Sequence, residues 1–249
     1  MEQVELWRVQ RSLLWHAGIV AAIVVLIMAL PQVGTVHVAG PSGTSYFAPG
    51  TGVALSVIAS FAAFFAAIYA SSVGTSLNRE NVTRDLSWTK PLARSVLAAR
   101  YVLIDLVGVV IAFAIALVAI GIIATYMHFP PYVDAQAPVE LALGAGIGAM
   151  WYGLLQVLTC AAPPGARSLA GVLWPVALVC GALSAVPGSI GAIMRAIDVL
   201  NPLSYMGGGV VQHGTREIGM PADERALIVW GFALAFCALA IFLWPRKEA

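Results

Sequence analysis

The sequence predicts an all-α integral membrane protein, one transmembrane domain over residues 1–249 with six spanning helices. Three observations predict it. Of 249 residues, 60% are hydrophobic and 10% charged, where a soluble domain carries about 25% charged residues; mean hydropathy is +0.89. Six apolar runs approach the roughly 20 residues that a helix needs to cross a hydrocarbon core of about 30 Å. The basic residues fall almost entirely on one side of those runs. The same composition excludes a water-soluble globule, a disordered chain and a nucleic-acid-binding surface: 13 Lys and Arg against 12 Asp and Glu leave a net charge of +1 and no basic stripe.

The first span covers Leu13 to Leu30 and reads as a mature helix rather than a signal peptide, because Glu2 and Glu5 stand in its leader and no small-x-small site follows closely. The leader places Val4, Trp7 and Arg11 on one face, the pattern of a short interfacial helix that snorkels its arginines. A Gly/Ser/Pro-rich loop from Pro31 to Thr51 precedes the second span, Gly52 to Val73. The third runs from Tyr101 to Ala124, the fourth from Val139 to Ala161, the fifth from Ser168 to Val186 and the sixth from Ala226 to Trp244. Pro31, Pro49, Pro130, Pro131, Pro163, Pro164, Pro187 and Pro245 stand near span ends, where a missing N–H costs little. Ala62, Ala66, Ala70 and Gly74 recur at four-residue spacing, and Gly144 with Gly148 forms G-x-x-x-G. Such stripes let helices approach closely, within one subunit or between two.

Orientation follows from Lys and Arg. With the N terminus inside, Arg8, Arg11, Arg79, Arg84, Lys90, Arg94, Arg100, Arg167, Arg246 and Lys247 are cytoplasmic, ten of the thirteen, against Arg195, Arg216 and Arg225 outside. The positive-inside rule therefore puts both termini in the cytoplasm. The expected location is the cytoplasmic (inner) membrane, multi-pass, with the lipid bilayer as partner.

Two loops carry information. The cytoplasmic loop from Thr75 to Arg100 holds five of the basic residues, with Glu80 and Asp85 among them. A short helix capped by Asn78 fits the stretch before Pro91, with Glu80 and Arg84 paired at i, i+4. Charge alone leaves two readings, a solvated topogenic turn and a docking helix for a soluble partner. In the external loop from Pro187 to Arg225, Ile190, Ile193, Met194, Ile197 and Leu200 make one helical face, with Arg195 and Asp198 on the other and placed to pair. That helix ends at Asn201-Pro202 and is followed by Gly207-Gly208-Gly209, the pattern of a re-entrant or interfacial hairpin before the last span.

The run Arg79-Glu80-Asn81-Val82-Thr83, with Arg84, Leu86 and then Lys90-Pro91-Leu92-Ala93-Arg94-Ser95, resembles the cytoplasmic loop of the membrane subunits of type-2 ABC exporters. It departs at Val82, where that family often has Gly. Asn201-Pro202-Leu203-Ser204-Tyr205 is similar to the family's Asn-Pro-Leu element before the final span, and Pro245-Arg246-Lys247-Glu248 to its short basic tail. The resemblance implies a permease dimer, of one chain or of two paired permeases, working with two copies of a separate ABC ATPase. It implies that the loop residues form the coupling helix, that the element containing Asn201, Pro202, Leu203 and Tyr205 belongs to the external gate, and that ATP and Mg sit on the partner. The residues agree: no G-x-x-x-x-G-K-[ST] exists, since Lys90 and Lys247 are the only lysines and neither follows glycine. This chain is expected to bind no cofactor itself and not to be an enzyme on its own.

Other constellations weigh less. Gly40-Pro41-Ser42-Gly43 has the G-x-S-G spacing of rhomboid proteases, but its serine lies in a loop and none of His16, His37, His128 and His213 falls in the last two spans. Asp105, one turn into the third span, is an intramembrane charge, to be read either as a substrate or proton site or as a boundary ion pair with Arg94 or Arg100. Cys160, Cys180 and Cys237 lie in apolar runs, without disulfide or zinc-knuckle spacing. No catalytic or metal constellation emerges. A secondary transporter or channel, or an intramembrane enzyme, are the alternatives to the exporter.

Overall fold

The computed structural model describes residues 2–29, 36–40, 43–47, 52–78, 94–160, 162, 168–206 and 220–244. Helix α1 spans Glu2–Ala29. Strands β1 (Val36–Gly40) and β2 (Gly43–Phe47) follow, then β3 (Val53–Ala54), α2 (Leu55–Val73) and a 3-10 turn at Ser76–Asn78. Next come α3 (Arg94–Tyr126), β4 (Pro131–Tyr132), α4 (Ala137–Cys160), α5 (Ser168–Ser184), α6 (Ser189–Asp198), a 3-10 turn at Pro202–Tyr205, and α7 (Ala222–Leu243).

Five of these helices, α1, α2, α3, α4 and α7, are long and apolar enough to cross a membrane, and the chain is a multi-pass membrane protein of the all-α class. The fifth expected span corresponds to α5, whose 17 residues, with Pro175 inside, reach about 25 Å at 1.5 Å per residue. It is apolar but shorter than the other five. Helices α1, α3 and α5 run one way and α2, α4 and α7 the other, so the bundle has two ends. One carries Arg8, the Ser76–Asn78 turn and Trp244; the other carries Glu140, Arg225 and α6.

Helix α4 is the axis of the bundle, packed against α2 on one side and α7 on another. Without a hydrophobic driving force between helices in lipid, close van der Waals fit has to hold them together. The small-residue stripes supply it within this chain: Ala62, Ala66 and Ala70 are buried, and a Cβ on Gly148 would stand 2.9 Å from the Ala66 Cβ and from Val109. The question that the spacing left open is thus answered for these stripes. The opposite outer faces are apolar and uncovered, with Phe61, Phe64 and Ile68 on α2 and Val172, Val176 and Val179 on α5 exposed.

Three features depart from the sequence reading. Helix α1 is continuous from Glu2, with no break between an interfacial leader and the span, and Arg8 turns into the bundle instead of snorkelling. Helix α3 starts at Arg94, seven residues before the expected limit of Tyr101. The segment between α1 and α2 contains an antiparallel pair, β1 with β2, in register from Val36↔Phe47 to Gly40↔Gly43. The alternation around Gly40 and Gly43 was the signal for that hairpin.

The far end of the bundle is stitched by the loop after α3. That helix stops at His128, whose φ is 64°, with the Phe129 N–H donating to the Ala124 carbonyl at 2.8 Å, a Schellman-type ending. The chain then pairs β4 with β3 in parallel, and the Val53 N–H donates to the Pro130 carbonyl at 3.1 Å.

Candidate functional site

The expected coupling residues Arg79, Glu80, Asn81, Thr83, Arg84, Leu86, Lys90 and Pro91 lie outside the described residues. What is described is the seat from which their loop departs. The Ser76–Asn78 turn is held by side chains from two helices. Gln156 of α4 donates through Nε2 to the Ser76 hydroxyl at 2.6 Å, and its Oε1 accepts from the Leu77 N–H at 3.4 Å. Asn78 donates through Nδ2 to the Thr159 carbonyl at 2.5 Å. Trp244 at the end of α7 donates its indole N–H to the Leu77 carbonyl at 2.9 Å. Asn78, expected as a helix cap, thus ties the turn to the end of α4.

Asp105 is fully buried beneath this seat. The sequence pointed to Arg94 or Arg100 as its counter-charge; the partner described is Arg8 of α1, 97 residues away. Tyr152 donates its hydroxyl to the other carboxylate oxygen at 3.1 Å, and Gln156 donates to that hydroxyl at 2.9 Å. Tyr152 and Gln156 are one helical turn apart on α4, so both side chains point to the same neighbour. The Ser76 hydroxyl also faces the Asp105 carboxylate. A buried charge is tolerated only when paired and hydrogen-bonded, and here Arg8 pairs with it and Tyr152 bonds it, with Gln156 behind Tyr152. Close by, Ser12 and Ser72 hydroxyls lie 3.2 Å apart, and the His16 ring meets Tyr69 edge-on at 5.3 Å. His16 is therefore buried against α2.

The opposite end holds the Asn-Pro-Leu element. Pro202 opens a 3-10 turn whose cap is Asn201: its Oδ1 accepts from the Leu203 N–H at 3.1 Å, and its Nδ2 donates to Asp198 at 2.8 Å and to the Ala177 carbonyl at 3.1 Å. Asn201, Pro202, Leu203 and Tyr205 are all buried or nearly so. Arg195 and Asp198 do not pair as expected: Arg195 donates to the Ser184 carbonyl at 3.0 Å, closing α6 onto α5, while Asp198 takes Asn201. Burial raises the Tyr205 phenol above its ordinary pKa, helped by the Asp198 charge. Arg225 then joins this turn to the bundle, donating to the Tyr205 carbonyl at 3.0 Å and pairing with Glu140 at 2.9 Å.

Helix α6 is amphipathic, as its spacing predicted, but its polar side faces inward. Gly191 and Asp198 are buried, while Ile190 and Ile193 are each 59% exposed. Two glycines make the tight return from α5. Gly188 has φ 98°, a conformation that L side chains rarely adopt, and a Cβ on Gly191 would lie 1.7 Å from the Val186 carbonyl oxygen.

Near the end of α2, one to two turns before Ser76, α2, α4 and α5 share an aromatic contact. Trp151 and Trp174 rings lie 4.5 Å apart, and both indole N–H groups donate to the Ser71 hydroxyl, at 2.8 and 2.9 Å. Phe64 meets Trp174 edge-on at 5.3 Å. Sequence reasoning missed this cluster, as it missed Arg8, Tyr152, Gln156 and Glu140; the polar residues Gln156 and Glu140 in an apolar helix were the available signal. Among the described residues no group of three or more His, Cys, Asp and Glu could hold a metal. None of the three cysteines is in a disulfide. No family model, no curated protein and no solved structure matches this chain.

Proposed function

We propose that this chain is the transmembrane permease subunit of an ATP-driven exporter of the type-2 ABC class. It forms the translocation path as a dimer and is coupled to separate ATPase subunits through the loop after Asn78. One observation carries the reading: the Ser76–Asn78 turn, where that loop leaves the bundle, is fastened to α4 and α7 by Gln156, Thr159 and Trp244. A merely topogenic turn has no use for so stiff a seat, whereas a loop that receives a push must pass it to the helices. In this reading α5 is a sixth crossing, α6 returns as the external hairpin, and both termini are cytoplasmic. The path lies between two copies along the uncovered aliphatic and aromatic faces of α2 and α5, which suits an amphipathic cargo. Closure of the ATPases rocks the two bundles between inward- and outward-facing states, because the loop contacts differ between them.

The deciding experiment is purification of the chain from its native membrane in mild detergent. A co-purifying ATPase, with ATP hydrolysis lost when it is removed, supports the exporter. Hydrolysis by the isolated chain, or its purification with no ATPase attached, overturns it. The buried Arg8–Asp105 pair favours one second reading, a secondary transporter; transport by the chain alone in vesicles, driven by a proton or sodium gradient, would select that reading.

A further inference from the structure

We propose that Asp105 is a positioning residue for the loop seat. With Arg8 as its counter-charge it holds Tyr152, and through it Gln156 and Ser76, in one chain of contacts, so that the docking of α1 and the conformation of the Ser76–Asn78 turn are set together. Every link is a direct contact. Arg8 and Tyr152 each bond one oxygen of Asp105. Gln156 bonds the Tyr152 hydroxyl with Nε2 and, with the same amide group, both Ser76 and the Leu77 N–H. The chain of contacts thus runs from Arg8 through Asp105, Tyr152 and Gln156 to Ser76 and Leu77.

The arrangement has two properties of a latch. Its members come from different places: α1, α3, α4 and the turn after α2. Its inner members are also fully used: Tyr152 donates once and accepts once, and the Gln156 amide uses both its nitrogen and its oxygen. Moving one member therefore leaves another buried polar group without its partner, which couples the positions of all of them.

Helix α1 needs such a device. Only 11% of its most apolar window is buried, and the half that carries Arg8 meets the bundle through polar and ring contacts that include Arg8 with Asp105, Ser12 with Ser72, and His16 with Tyr69. In the exporter reading, on which this use of the latch rests, displacement of the loop reaches α1 through Asp105.

The test is hydrogen exchange at the Leu77 amide in the purified full chain in lipid nanodiscs. It is paired with disulfide formation between Ser12→Cys and Ser72→Cys in a background whose native cysteines are replaced by alanine. D105N is expected to speed Leu77 exchange at least tenfold and to abolish the 12–72 disulfide. The R8Q/D105N double variant, which removes both charges and keeps an acceptor for Tyr152 and Ser76, is expected to restore both. Y152F keeps the ion pair and cuts one link, so it should speed Leu77 exchange while the disulfide still forms; it serves on its own where D105N does not fold. Wild-type exchange in both D105N and Y152F, or a double variant as impaired as D105N, overturns the latch. No ATPase enters this measurement, so the latch and the exporter reading can fail separately.

Discussion

Arg225 and Glu140, 85 residues apart, meet at 2.9 Å where α7 and α4 begin, and the same guanidinium reaches the Tyr205 carbonyl. This one side chain fixes the Asn201–Tyr205 turn to the bundle. Truncation by R225A leaves a nearly buried carboxylate without its counter-charge, which costs about 3 kcal/mol. R225M with E140L is expected to recover most of that loss in thermal unfolding in detergent. Equal instability of the single and double variants would reduce the pair to a bystander.

At the α5–α6 return, G191A cannot be accommodated without moving the Val186 carbonyl. The hairpin is expected to open, and a cysteine in place of the buried Ser184, in a background without native cysteines, to react with a maleimide at least tenfold faster than in the parent. An unchanged rate would mean that the backbone yields locally.

Ser71 accepts from two indoles while donating to the Ala67 carbonyl at 3.1 Å. S71A leaves two N–H groups without an acceptor, at about 1–3 kcal/mol for each one that stays buried. Loosening of the ring pair is read as loss of near-ultraviolet circular dichroism. A spectrum and melting temperature like those of wild type would show that the indoles find other acceptors.

Asp134 acts as a cap supplied from afar: the Ser56 N–H at the start of α2 donates to its carboxylate at 3.2 Å. Desolvation pushes the carboxyl up, but bonds from the Ser56 hydroxyl and amide and from its own and the Gln136 amide outweigh it, leaving the pKa below the ordinary value. With the folded pKa below the unfolded value of about 3.9, the stabilisation is complete above that value and is lost as pH falls through the folded pKa. D134N should therefore melt below wild type at pH 6, with the difference closing below about pH 4. A gap independent of pH would assign the effect to shape rather than charge.

For the loop itself, E80A with L86A is expected to weaken ATPase association by about 1–2 kcal/mol and to lower transport-linked hydrolysis. Neither change touches Lys or Arg, so a cysteine at Asn81 should still label only from the cytoplasm and one at Gly208 only from outside. Wild-type affinity in the double variant would leave the loop as a charge anchor.

The apolar runs were legible because length and hydropathy are properties of contiguous sequence; all five long helices fall on expected spans. The end of α6 just before Asn201-Pro202 was legible for the same reason, since the proline that stops it is local. Asp105 stood out as a charge in an apolar run, but its partner was sought on its own helix. Arg8 read as an interfacial residue because nothing in a periodic pattern shows which helices will be neighbours. Gln156 and Ser76, 80 residues apart, illustrate the same limit. Helix α6 was legible as amphipathic, yet which face turns inward depended on the Gly188–Gly191 return.

The distance in sequence between Arg8 and Asp105 bears on how the chain is made. Arg8 is translated 97 residues before its counter-charge, which at bacterial and eukaryotic synthesis speeds is roughly 5–20 s. During that interval the carboxylate it will meet does not exist, and an arginine alone in hydrocarbon is costly. The first helix must therefore wait with Arg8 at the water-facing boundary of the membrane, and can move to its final depth only when the third helix arrives. Insertion of this protein is thus not a simple left-to-right stacking of helices: its first segment settles only once its third has been made.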